Sequence, residues 1–214
     1  MKVVVLHAFP LGPEMWAPQR DVLAEHDVFA PNLYDLGGNS IDAWAKRILT
    51  EVDGSFPAVG ASMGGYTALA MARIAPERVR GLFLVGARAG ADDDKRRAAR
   101  EKAITTLREE GIESWSPSAP AQPPPERTID ELIRGTEALR DRQDSTSLVA
   151  RFEGPLWIMV GDQDPFLPVD EAREIAGSAP QGRVEIFEGA GHFPNGERPE
   201  RFNELLREFL QAAA

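Results

Sequence analysis

The sequence predicts an α/β protein built on a doubly wound, mostly parallel sheet of about six strands. Short apolar runs recur along the chain at 3–6, 28–30, 57–59, 82–85, 156–160 and 184–187. Runs without polar alternation are typical of strands that are buried on both faces of a parallel sheet. Helices are predicted between these runs, at 42–52, 63–74 and 202–210. Such alternation of strands and helices indicates the α/β class.

A charged insert at residues 88–150 interrupts this alternation once. Three consecutive aspartates, 92–94, open a predicted helix that reaches toward Glu110, and Thr128 with Glu131 forms a capping-box pattern for a second helix. Residues 116–125 between them contain five prolines, which excludes regular structure. We therefore predict a core at 1–87 and 151–214 and a helical lid at 88–150, because the insert has too few apolar residues for a core of its own.

Length and charge limit the classes of protein to which this chain can belong. Its 214 residues suit one domain, and 34 acidic against 24 basic residues give a net charge of −10, which disfavours nucleic acid as a partner. The chain has no cysteine, and its three histidines lack zinc-ligand spacing, so we expect no metal and no cofactor. The first apolar run is too short for a signal peptide or a membrane span. We expect a cytoplasmic monomer or homodimer that does not bind membranes.

A serine with glycines on both sides follows the third apolar run. Ser62 lies in the pattern Gly60-x-Ser62-x-Gly64, with a strand predicted before it and a helix after it. A sharp strand-to-helix turn of this kind exposes a nucleophilic serine and needs small neighbours two residues away. A chance match in a glycine-rich chain is the alternative for the pentapeptide alone. A phosphate-binding loop is disfavoured, because neither G-x-G-x-x-G nor a Gly-Lys-Ser/Thr ending is present.

A serine nucleophile needs a general base, and the base needs an orienting carboxylate. His192 follows the last predicted strand, and Asp162 and Asp164 follow the strand before it, so all three fall at the carboxyl edge of the sheet. Either aspartate qualifies by type, and either could simply initiate a turn ahead of Pro165. We favour Asp164. The chain order serine, aspartate, histidine is the one expected for a nucleophile turn on such a sheet.

The remaining site predictions concern the oxyanion and the substrate. The backbone N–H groups of Phe9 and Met63 are predicted to hold the oxyanion, while His7 braces the loop that carries Phe9. We predict a mostly apolar pocket, although core packing is an equal alternative for each member: Leu11, Trp115, Phe166, Leu167 and Phe193. No Arg or Lys lies in an identifiable motif that could bind a substrate carboxylate, so an uncharged substrate is favoured. Arg88 is the one candidate exception.

Taken together, these motifs resemble the α/β-hydrolase superfamily over essentially the whole chain, and more narrowly small bacterial carboxylesterases related to 3-oxoadipate enol-lactonases. The segments that carry the resemblance are 7–11 with 15–16, 60–66, 75–79, 161–164 and 189–194. The resemblance implies the α/β-hydrolase fold with a six-stranded parallel sheet. It also implies that Asp164 is the acid, that His192 is the base, and that the amides of Phe9 and Met63 form the oxyanion hole.

The function that we expect is that of a serine hydrolase. It would cleave a small, mostly apolar carboxylic ester or lactone through an acyl-enzyme formed on Ser62. The same triad would also serve a cofactor-free perhydrolase, a C–C bond hydrolase or an acyltransferase, and the fold does not separate these. A non-catalytic protein that binds a small ligand on a hydrolase scaffold is the alternative from a different class.

Overall fold

A computed structural model describes residues 1–116 and 119–214 of the chain. Its centre is a six-stranded sheet in the order β2-β1-β3-β4-β5-β6, and every neighbouring pair is parallel. The strands are β1 (Lys2–Leu6), β2 (Asp27–Phe29), β3 (Phe56–Ala61), β4 (Val79–Val85), β5 (Leu156–Gly161) and β6 (Gly182–Phe187). Each strand overlaps the apolar run that predicted it, so the predicted fold class and sheet are confirmed.

The helices lie between the strands and at the end of the chain. They are α1 (Arg20–Leu23), α2 (Ile41–Glu51), α3 (Met63–Ile74), α4 (Asp94–Glu110), α5 (Ile129–Arg140), α6 (Thr146–Val149), α7 (Val169–Ser178), α8 (Pro194–Glu197) and α9 (Pro199–Ala212). Short 3-10 helices occur at Pro13–Gln19, Leu33–Leu36 and Gly111–Ser114. The helices predicted at 42–52, 63–74 and 202–210 correspond to α2, α3 and α9.

Both faces of the sheet are covered, which explains why its strands are apolar throughout. Alternate residues of β1 point to opposite sides: Val4 packs into the core under α2, α3 and α7, whereas Val5 packs into the core under α1 and α9. Side chains in a strand alternate between the two faces, so a strand covered on both sides needs apolar residues at every position. The sheet is therefore an internal layer that exposes mainly its edges.

The insert at 88–150 is helical in the part of it that the structure describes. It contains α4, Gly111–Ser114, α5 and α6, and no strand among its described residues. The predicted capping box begins α5: Thr128 Oγ1 accepts from the Glu131 amide, and Glu131 accepts from the Thr128 amide. Residues 119–128 form neither helix nor strand, as their prolines predict, while Pro117 and Ser118 lie outside the described residues. The domain boundaries at 87 and 151 stay a prediction.

Candidate active site

Ser62 stands on a strained turn between β3 and α3. Its φ of 47° and ψ of −109° make it the one non-glycine residue with positive φ in the described part of the chain. A Cβ on Gly60 would lie 2.4 Å from the Gly64 carbonyl oxygen, and a Cβ on Gly64 would lie 2.2 Å from the Leu6 carbonyl oxygen. Both positions therefore require glycine. The backbone conformation of Ser62 is unfavourable for a residue with a side chain. Such conformations are retained mainly at functional sites, where the surrounding structure holds them.

The structure brings His192 and Asp164 together beside this turn. His192 Nδ1 lies 2.8 Å from Asp164 Oδ2, and the two side chains are 4% and 0% exposed. The second carboxylate oxygen of Asp164 accepts from the backbone N–H groups of Phe166 (2.8 Å) and Leu167 (3.2 Å). These bonds hold the carboxylate in one orientation, so the histidine ring is oriented by a rigid acceptor.

Asp162 and Asp164 have different hydrogen-bond partners in the structure. Asp162 is exposed, and its Oδ1 accepts from the backbone N–H of Gly189 at 2.9 Å. It therefore braces the loop that carries His192 and does not contact the imidazole ring. The two carboxylates are only two residues apart, but they face different partners.

Gly86 is a site residue that the sequence reasoning missed. It follows β4 and has a φ of 57°. A Cβ at this position would lie 2.7 Å from both Cε1 and Nδ1 of His192, and 3.1 Å from Asp164 Oδ2. The histidine–aspartate pair therefore rests directly on the Gly86 backbone. A glycine at the carboxyl end of a predicted central strand was the signal that could have found it.

The predicted oxyanion donors lie on the two loops that flank Ser62. Met63 begins α3, so its amide is one of the N–H groups that a helix leaves unpaired at its start. Phe9 follows β1. In the described part of the chain, neither amide donates to a loop or cap acceptor. Both N–H groups therefore remain available as hydrogen-bond donors.

His7 is buried beneath the loop that carries Phe9. Its Nε2 accepts from the Leu33 amide at 2.8 Å, so the ring proton is on Nδ1, which donates to the Ala8 carbonyl at 3.0 Å. Burial lowers the pKa of His7 from 6.5 to about 4. The ring is thus neutral at pH 7 and braces the loop through both nitrogens.

Arg127 holds the same loop from the insert, and no sequence motif pointed to it. Its Nε and Nη2 donate to the carbonyls of Pro10 and Leu11, each at 3.1 Å. Its guanidinium lies 3.9 Å from the centre of the Tyr34 ring, and its side chain is 4% exposed. A buried cation that donates to two consecutive carbonyls and stacks on an aromatic face fixes the path of the loop.

A cavity of about 440 Å³ opens onto Ser62 and His192. The hydroxyl of Ser62 forms no hydrogen bond with His192 in the described structure, but both side chains line this space. Apolar side chains dominate the wall, and those of Phe9, Trp115, Phe166 and Phe193 are among them. The Phe166 ring stands edge-on to the His192 ring, with centroids 4.8 Å apart.

Three residues that the sequence suggested as substrate contacts are not among the residues that line this cavity. Leu167 does not line the cavity, because it is fully buried in the core near α7. Leu11 is half-buried outside the wall and contributes its carbonyl to Arg127. Arg88 does not face the cavity either, since its guanidinium pairs with Glu171 of α7 at 2.9 Å.

Two basic residues of α4, Arg100 and Lys102, do line the cavity, and the sequence reasoning did not identify them. Within residues 1–116 and 119–214, no group of three or more His, Asp or Glu side chains is arranged to hold a metal ion. Across the same residues, none of the helices combines the length and apolar character needed to cross a bilayer.

Several curated relatives of this chain are named as hydrolases or esterases. A pimeloyl-[acyl-carrier protein] methyl ester esterase from Aromatoleum aromaticum is 25% identical, with 98% of each chain covered. A 2-hydroxy-6-oxononadienedioate/2-hydroxy-6-oxononatrienedioate hydrolase from Pseudomonas putida is 26% identical over 72% of this chain. That match spans 62% of the relative's length, which is less than two thirds.

Solved structures extend the same likeness to the whole fold. A thermophilic esterase from Thermogutta terrifontis superposes with a TM-score of 0.88 at 27% identity, covering all of this chain and 90% of that one. The enol-lactonase from Burkholderia xenovorans has a TM-score of 0.80 at 20% identity, covering 98% of this chain and 91% of its own, which shows a shared fold. The model of the alpha/beta hydrolase family matches residues 3–205. Since that match takes in nearly the whole chain, the protein belongs to the alpha/beta hydrolase family of enzymes.

Proposed function

We propose that this enzyme hydrolyses a small carboxylic ester or lactone through an acyl-enzyme on Ser62. The observation that carries the proposal is the 2.8 Å contact between His192 Nδ1 and Asp164 Oδ2 at the wall of the cavity that Ser62 also lines. An imidazole whose Nδ1 faces a carboxylate presents Nε2 as a base, which is the arrangement that activates a serine hydroxyl.

In the proposed first step, Ser62 Oγ attacks the ester carbonyl carbon while His192 Nε2 takes the hydroxyl proton. The carbonyl electron pair moves onto oxygen, and the amides of Phe9 and Met63 stabilise that oxyanion. Collapse of the intermediate breaks the bond to the alcohol, which leaves with the proton from His192. Water then attacks the acyl-enzyme with His192 again as base, and this releases the acid and restores Ser62.

The cavity supports a small and mostly apolar acyl or alcohol group. Its volume of about 440 Å³ falls within the range of small-molecule sites, roughly 300–1,000 Å³. The aromatic side chains of Phe9, Trp115, Phe166 and Phe193 line the same cavity as Ser62 and His192. We propose further that residues 88–150 act as a lid, because α4 and Trp115 line the same cavity as Ser62 and His192.

The nucleophile is tested by labelling with a fluorophosphonate and measuring intact mass. We expect one adduct on the wild type and none on Ser62→Ala, because only an activated serine reacts with this probe. Ser114→Ala is the matched control: Ser114 also lines the cavity, but its hydroxyl donates to the Gly111 carbonyl at 2.7 Å. Labelling of Ser62→Ala at the wild-type level, or no adduct on the wild type, would show that the nucleophile is assigned wrongly.

The acid is tested by comparing Asp164→Asn with Asp162→Asn in hydrolysis of p-nitrophenyl hexanoate. Loss of the carboxylate that orients His192 should lower kcat by about 10³-fold to 10⁴-fold. Asp162 braces a loop through one hydrogen bond to the Gly189 amide, so its variant should retain most of the activity. The opposite ranking of the two variants would contradict the proposed triad.

A further inference from the structure

Within the proposed hydrolase, on whose function this inference rests, we propose that Lys102 of α4 binds a carboxylate at the far end of the substrate from its scissile bond. Arg100, on the same helix, adds a second positive charge to this wall of the cavity. The substrate class would then be an ester or lactone with an apolar middle section and an anionic end. This differs from the uncharged substrate that the sequence favoured.

The charge of the cavity is opposite to that of the protein. The chain carries 34 acidic and 24 basic residues, yet the charged side chains in the described wall are Arg100 and Lys102 alone. No aspartate or glutamate is among the described lining residues. A positive region in a largely apolar cavity attracts anions, although Lys102 itself is exposed, so solvent partly screens its charge.

Lys102 lacks the partners that neutralise other basic residues of the insert. Arg97, Arg108 and Arg140 each form an ion pair with a carboxylate, but Lys102 forms none with a described residue. Side chains three or four residues apart on a helix are neighbours. At those positions Lys102 has alanines 98 and 99 and threonines 105 and 106, so no acid on α4 lies one helical turn from it.

Arg100 contributes charge through a buried cluster. Its Nε lies 3.3 Å from Asp92 Oδ2, while Asp92 Oδ1 is 2.6 Å from Arg142 Nη1. Asp92 and Arg142 are 1% and 2% exposed, so this pair is closed to solvent. Two guanidinium groups thus share one carboxylate, so Asp92 does not neutralise both of them, and Arg100 is the one that reaches the cavity wall.

A carboxylate suits this wall better than a phosphate does. Phosphate sites usually combine a cation with free backbone N–H groups at a helix start or in a glycine-rich loop. Arg100 and Lys102 lie inside α4 (Asp94–Glu110), where the helix uses the backbone N–H groups itself. A site with two cationic side chains but no free backbone N–H groups is better suited to a singly charged carboxylate than to a phosphate.

The test compares pairs of esters that have equal chain length. p-Nitrophenyl hexanoate and octanoate are neutral, whereas mono-p-nitrophenyl adipate and suberate end in a carboxylate. The quantity measured is the ratio of kcat/KM for the half-ester to kcat/KM for the neutral ester. We expect Lys102→Met to lower this ratio about threefold to fivefold, which corresponds to one ion pair at an exposed side chain.

Lys95→Met is the matched control, because Lys95 is exposed on α4, outside the cavity wall, and its loss changes the net charge equally. It should retain the wild-type ratio, and added NaCl should lower the ratio of the wild type more than that of Lys102→Met. An unchanged ratio in Lys102→Met, or an equal fall of the ratio in Lys95→Met, overturns the inference. Hydrolysis of the neutral esters would still support the proposed function in that case. A wild type that hydrolyses none of the four esters overturns both.

Discussion

Replacing Gly86 with alanine should disable the site with little loss of stability. The new Cβ would lie 2.7 Å from His192 Nδ1, whereas ordinary contacts begin at 3.4 Å, so the ring must move by about 0.7 Å. Displacement of a catalytic group by about 1 Å costs on the order of a hundredfold in rate. We therefore expect kcat for p-nitrophenyl hexanoate to fall about a hundredfold in Gly86→Ala.

Gly54→Ala is the control that separates the steric clash with His192 from the backbone strain of an alanine at positive φ. Gly54 has a φ of 73°, close to the 57° of Gly86, but a Cβ there would meet nothing within 4 Å. Both variants should lose about 1 kcal/mol from placing alanine in a left-handed conformation. Thermal unfolding measures the loss of stability that the two variants share. Steady-state kinetics measures the loss of kcat that only the clash with His192 causes. A kcat for Gly86→Ala within about threefold of that for Gly54→Ala would refute the reasoning, because the ring would then tolerate the methyl group.

Two further predictions concern the loop that carries Phe9. The pKa of His7 falls from 6.5 to about 4 on folding, so between those values the unfolded chain binds the extra proton and stability decreases as the pH falls. Urea unfolding should therefore show about 2 kcal/mol more loss between pH 7 and pH 5 for the wild type than for His7→Asn, and equal losses would contradict the buried neutral ring. Arg127→Gln removes charged donors from the carbonyls of Pro10 and Leu11 and should lower the free energy of unfolding by about 2 kcal/mol. Arg108→Gln, in an exposed ion pair, should change it by less than about 0.5 kcal/mol, and an equal effect of both variants would show that Arg127 does not anchor the loop.

The fold could be predicted because its signals are local. A strand covered on both faces must be apolar at successive positions, and every such run in the sequence became a strand. The 3-10 helices at Pro13–Gln19 and Leu33–Leu36 were not predicted, since distant partners hold them. Trp16 packs against Phe202 of α9, and the Leu33 amide donates to His7.

The candidate site was predictable where residue type and strand position together limit the choice. Ser62 and His192 follow from a glycine-flanked serine and a loop histidine at the ends of strands. Asp162 and Asp164 have the same type and nearly the same position, so only the side-chain directions separate them. Arg88 could be named only as a candidate for a substrate carboxylate, because its partner Glu171 lies 83 positions further along the sequence.

The sequence alone determined the α/β class, the parallel sheet and the strained turn at Ser62, because each depends on neighbouring residues and on burial that the local pattern reveals. Tertiary structure decided which side chains share the cavity. Gly86 lies under His192, Arg127 holds the loop after β1, and Lys102 joins the wall, although each is far along the chain from what it contacts or faces. The placements of Arg127 and Lys102 depend on how the insert folds back over the sheet, and that of Gly86 depends on which strands are neighbours in the sheet; no pattern of adjacent residues encodes either.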